Sequence, residues 1–73
     1  MTTTDPWIHD LTRVHPGERI EAWDENHLRH AGTVSQVAVH LDVLWVRETG
    51  TGIPKLIPAR EYRLRHTPFA RTT

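Results

Sequence analysis

The chain has no cysteine. That excludes a disulfide staple and a thiolate-bound zinc, and it fits a reducing compartment. It has one serine, Ser35, without the glycines of a nucleophile elbow around it. It has no apolar run long enough to span a bilayer and no basic-then-apolar leader. It has no excess of charge either, nine acids balancing nine bases. A protein that grips polyanions by neutralising phosphates needs unpaired cations, so zero net charge argues against a strong non-specific nucleic-acid binder. No glycine loop precedes a helix, as a phosphate cradle requires; Gly50 and Gly52 fall between two apolar runs. The expectation from these absences is a soluble, cytoplasmic protein, with no metal, no cofactor and no membrane partner.

What is present is short. Seventy-three residues make one domain with a thin core, because so small a chain buries only roughly 60% of its unfolded surface. The charge is segregated: six acids face three arginines before Ala31, and four arginines face one glutamate from Arg60 onward. The two ends therefore attract each other, or the basic end attracts a partner.

Asp5-Pro6 reads as a helix start, and Trp7, Ile8, Leu11 and Val14 follow on one helical face. A helix that short must dock to be stable. His15-Pro16-Gly17 ends it. Gly17 to Trp23 then alternates, with Ile20 and Ala22 on one side and Arg19, Glu21 and Trp23 on the other, which is a strand with one wet face. Asp24 to His30 carries no β pattern and reads as a loop. Ala31 to Val37 is a second strand, with Gly32 marking a bend or bulge. Leu41 to Arg47 is the third and is apolar on both faces: Leu41, Val43 and Trp45 on one, Leu44 and Val46 on the other. A barrel interior covers one of these faces. The other needs the N-terminal helix or a second chain. Thr49-Gly50-Thr51-Gly52 supplies a hairpin turn, Ile53 to Ile57 the return strand, Pro58 to Tyr62 one helical turn, and Arg63-Leu64-Arg65 the close.

Pro16-Gly17-Glu18-Arg19-Ile20, Gly32-Thr33-Val34 and Pro58-Ala59-Arg60-Glu61-Tyr62-Arg63-Leu64 resemble the opening strand, second strand and closing turn-and-strand of the SH3-like small β-barrels. The resemblance covers about Pro16 to His66. It implies an all-β, SH3-like five-stranded barrel over 16–66 with a one-turn helix before the last strand; the short helical segment read above falls in 1–15, and 67–73 is expected to be a flexible tail. Pro54-Lys55-Leu56-Ile57-Pro58 is also similar in place to the ligand-contacting strand of the type II dihydrofolate reductases, pore-forming barrels of the same superfamily. The contact glutamine and tyrosine of that family are absent here, so its activity does not carry over.

Six histidines are many for this length, but only His27 and His30 are close in sequence, and a zinc site needs three or four ligands. Asp24 and Glu25 adjoin in a loop, and nothing pairs them across a cleft. The aromatics say more. In SH3-like and Tudor-like barrels, residues placed like Trp23, Trp45 and Tyr62 can line a groove that binds proline-rich, cationic or methylated side chains. Tyr62 suits the core. Trp23 and Trp45, with nearby Arg47, are the candidate contact residues of a non-catalytic module that binds a protein or peptide or associates with itself. The alternative is a nucleic-acid-binding barrel using Lys55, Arg60, Arg63 and Arg65.

Overall fold

The computed structural model describes residues 5–68; Met1 to Thr4 and residues 69–73, Arg71 among them, lie outside it. Six strands form one antiparallel sheet: β1 (Trp7–Ile8), β2 (Arg19–Asp24), β3 (His27–Ala38), β4 (Val43–Glu48), β5 (Pro54–Pro58) and β6 (Arg63–His66). Their spatial order is β1-β6-β2-β3-β4-β5. The all-β class holds, with 3-10 turns as the helical elements of the described residues: Leu11–Arg13, Val39–Leu41 and Ala59–Glu61. The sheet is not a closed barrel. β1 and β5 are its two edges and do not pair with each other.

The hairpin at Thr49–Gly52 forms as the glycines require, with Gly50 and Gly52 at φ 93° and 71°. The one-turn helix before the last strand is the 3-10 turn Ala59–Glu61. Alternation in β2 buries Ile20 and Ala22 completely, and Leu44, Val46, Ile57, Val34 and Leu64 meet them in one core. Burial of each large aliphatic here is worth about 1.5–3 kcal/mol.

Three local features depart from the expectation. The N-terminal helix is replaced by β1 and the single 3-10 turn. A short isolated helix gains little, whereas β1 pairs with β6, Trp7 opposite Arg65 and Ile8 opposite Leu64. Asp5 turns its carboxylate to the Trp7 N–H (2.9 Å), and Asp10 caps the 3-10 turn through the Thr12 N–H (3.0 Å). A strand sends adjacent residues to opposite faces, so Ile8 packs on the core with Leu11 and Val14 while Trp7 faces out. This segment covers the Leu44/Val46 face in cis and leaves the Trp45 face bare.

Second, β3 begins at His27 and not near Ala31. Asp24 pairs with His27 across a two-residue turn, with Glu25 in the left-handed region at φ 55°. Third, the bulge of β3 lies at Ser35. Val34 opposes Val46 and Gln36 opposes Trp45, leaving Ser35 as the extra residue, its hydroxyl donating to the Trp45 carbonyl (3.2 Å). The extra residue resets the alternation, so both Val34 and Val37 turn inward. Gly32 has a different duty: a Cβ there would lie 2.0 Å from the Arg47 carbonyl oxygen, so β4 approaches β3 over a bare Cα.

Candidate interaction face

Two tryptophan-bearing regions lie on the outward side of the sheet. The first is built on β1, β6 and β2. Trp7 and Trp23 meet edge to face with centroids 6.5 Å apart. The Arg63 guanidinium lies 4.2 Å over Trp7, and that of Arg65 lies 5.0 Å from Trp23 and 5.6 Å from Trp7. Glu21 Oε1 accepts from Arg65 Nε (2.7 Å) and from the Trp23 indole N–H (2.9 Å). Burial alone would raise the Glu21 carboxyl, but the Arg65 and Trp23 hydrogen bonds and the Arg65 charge outweigh it and hold it below its ordinary value. Glu21 thus satisfies Arg65 and the Trp23 indole, and the Trp faces that a cationic ligand would seek are met by the chain's own arginines.

The second region is the outward face of β4 and β5. Antiparallel ladders alternate bonded and non-bonded pairs. The Glu48 N–H donates to the Ile53 carbonyl and the Ala59 N–H to the Asp42 carbonyl, each at 2.9 Å. Both contacts set one phase: Lys55 and Ile57 turn their backbone groups toward β4, and Pro54, Leu56 and Pro58 turn theirs to solvent. The two prolines thus stand where an N–H is not needed by the ladder, and Leu56 alone presents an outward donor on β5. The edge is blocked against strand addition. The opposite edge is closed by other means: β1 is two residues long, and its outward Trp7 N–H is held by Asp5.

The non-bonded pairs of β4 and β5 are Arg47–Pro54, Trp45–Leu56 and Val43–Pro58. Side chains of such pairs stand close together on one face. Trp45 is 40% exposed and Leu56 49%, large values for residues of this size. Arg47 borders them, donating to the Gly52 carbonyl (3.1 Å) and pairing with no acid among the described residues.

The sequence-derived candidates are therefore divided. Trp45 and Arg47 share this face. Trp23 opposes Leu28 on β3 and Trp45 opposes Gln36, about 26 Å apart along that strand at roughly 3.3 Å per residue. Tyr62 packs against the core and meets His30 edge to face at 5.4 Å. The cations of the alternative site also separate. Arg63 and Arg65 lie on the outward face, Lys55 opposes the buried Val46 on the inward side, and Arg60 leaves the sheet on the 3-10 turn, 3.8 Å from Asp42. Leu56 and the two prolines were missed; the x-Pro-x-Leu-x-Pro period of two was the available signal.

A depression of about 410 Å³ runs beside β1 among Asp5, His9, Asp10, Arg13 and His66. Its polar groups are exposed pairs, Asp5 with His9 (2.6 Å) and His66 with Glu18 (3.0 Å). Among the described residues no three His, Asp or Glu side chains converge as a metal site, and no helix is long and apolar enough to cross a membrane. The chain matches no known family model, no curated protein and no solved structure.

Proposed function

We propose that the protein is a non-catalytic interaction module that docks a protein or peptide partner on the outward face of β4 and β5. The observation that carries this reading is the bare Trp45–Leu56 pair beside a proline-blocked edge. The partner lies across the side chains and does not extend the sheet. Its chemistry follows from the surface: an apolar side chain covers Trp45 and Leu56, and a carboxylate meets Arg47. A second copy of the chain is one such partner. The order β6-β2-β3-β4-β5 and the turn before the last strand support reading the fold as an SH3-like barrel left open, with β1 added outside it.

The test is selection of displayed peptides on the whole protein, followed by binding to Trp45→Ala, Leu56→Lys and Trp23→Ala. The proposal expects ligands that carry an acid near an apolar residue, lose binding to the first two variants and keep it to the third. Ligands that depend on Trp23 and ignore Leu56 would contradict it. Light scattering across concentration decides whether the partner is a second copy: a mass that rises in the native chain and not in Leu56→Lys identifies one.

A further inference from the structure

A separate feature lies at the other end of the outward face. Arg65 and Arg63 both flank Trp7, but their circumstances differ. Arg65 is neutralised by Glu21 at 2.7 Å. Arg63 is exposed, stacked 4.2 Å over the indole, and has no ion pair or side-chain hydrogen bond among the described residues. The nearest acids are otherwise engaged or set apart. Asp5 feels the Arg63 charge but spends its two oxygens on the Trp7 N–H (2.9 Å) and His9 (2.6 Å). Glu25, placed by its left-handed turn, lines the same hollow without pairing with either arginine. Stacking fixes the plane of a guanidinium and leaves its edge donors free for a two-pronged contact with an oxyanion. The hollow beside it, between Trp7, Trp23, Asn26 and the two arginines, is about 150 Å³. That is below the roughly 300–1,000 Å³ of sites that enclose a drug-sized ligand, and it suits one anionic head group.

We propose that the Arg63–Trp7 stack is a binding site for a single oxyanion, a carboxylate or a phosphate monoester, carried on a small planar or apolar body that rests against Trp23. Glu25 limits its affinity by repulsion. A nucleic-acid strand is disfavoured: its repeating phosphates would run past Glu21, Asp24 and Glu25, and one unpaired arginine cannot offset them. The site is independent of the β4–β5 face, so failure of either reading leaves the other standing.

The experiment is an NMR titration of the full chain with sodium acetate, benzoate, inorganic phosphate and phenyl phosphate, against sodium chloride at matched ionic strength. The Arg63 Nε–H and the indole N–H signals of Trp7 and Trp23 are the reporters. Saturable shifts are expected, stronger with the aromatic anions; benzoate above phenyl phosphate assigns a carboxylate, and the reverse order a phosphate. Arg63→Gln should weaken binding at least about tenfold, and Glu25→Gln should tighten it several-fold, roughly threefold or more. The proposal is overturned by shifts no larger than with chloride, by unchanged affinity in Arg63→Gln, or by unchanged or weaker binding in Glu25→Gln. An oligothymidylate that binds more tightly than every single anion, with steep salt dependence, would overturn it too. Because Glu25→Gln alters an exposed turn residue, it reports even if Arg63→Gln does not fold.

Discussion

The two tryptophan-bearing ends of the sheet are made from similar parts and finished in opposite ways. At the β1-β6-β2 end, Trp7 and Trp23 face outward but are flanked by Arg63 and Arg65, and the Trp23 N–H and the Arg65 guanidinium converge on Glu21. At the β4–β5 end, Trp45 stands opposite Leu56 between the Arg47–Pro54 and Val43–Pro58 pairs, and Arg47 pairs with no acid among the described residues. An outward aromatic is therefore not by itself evidence of a contact surface. What distinguishes the ends is whether the chain already supplies the partner. The acidic first half and basic last segment meet at the first end, where β2 lies against β6 and Glu21 pairs with Arg65. The second end presents exposed apolar side chains and Arg47, and no acid among the described residues pairs with that arginine.

β3 joins the two ends, pairing with β2 on one side and β4 on the other, and disturbing it should produce the largest effect. Gly32→Ala would set a Cβ against the Arg47 carbonyl oxygen and Val46, forcing β3 and β4 apart. A loss of about 3 kcal/mol or more is expected in denaturant unfolding, with weakened binding at the β4–β5 face.

Next comes the ionic lattice of the satisfied end. Glu21→Gln strips the charge partner from Arg65 and should cost roughly 1–2 kcal/mol. The pH dependence gives the sign. The folded-state pKa of Glu21 is lowered, so its contribution is complete above the ordinary glutamate value, about 4.3, and is lost as pH falls through the lower folded value. Urea midpoints should therefore fall on acidification below about pH 4.3, and Glu21→Gln should flatten that fall. An equal fall in both proteins would mean that Glu21 does not hold this end.

Trp45→Ala removes one of two paired, half-exposed side chains and should cost only about 0.2–1 kcal/mol while abolishing docking. If stability falls by several kcal/mol instead, Trp45 belongs to the core and the two ends do not differ as described. The smallest effect on stability is expected from Pro54→Ala, roughly 0.5 kcal/mol or less. It restores an outward N–H to β5, and the expected outcome is concentration-dependent association through the edge, seen as rising mass in light scattering.

Much of the framework was legible in the sequence, because its signals are local. Alternation fixed the inward Ile20 and Ala22, the glycines fixed the Thr49–Gly52 turn, and Pro58-Ala59-Arg60-Glu61 marked the 3-10 turn. The double apolar character of β4 was legible as well: Leu44 and Val46 are buried on one face, and Trp45 stands exposed on the other. The N-terminal strand was not, since two residues carry no period and their conformation is decided by pairing with β6, more than fifty positions away. The Ser35 bulge was hidden for a similar reason: a register change is a property of two strands, and Gly32 drew attention three residues too early. The division of Trp23 from Trp45 required the register too.

The central claim is that the Trp45–Leu56 face is open to an uncharged apolar group, while the Trp7–Trp23 end, with its arginines over the rings, takes only an anion. The most direct test is an NMR titration of the whole protein with phenol, a small uncharged aromatic probe, following the three indole N–H signals and the Leu56 methyls. The account predicts saturable shifts at Trp45 and Leu56, with the Trp23 signal, held by Glu21, unmoved. Shifts led by Trp7 and Trp23, with Trp45 silent, would contradict it.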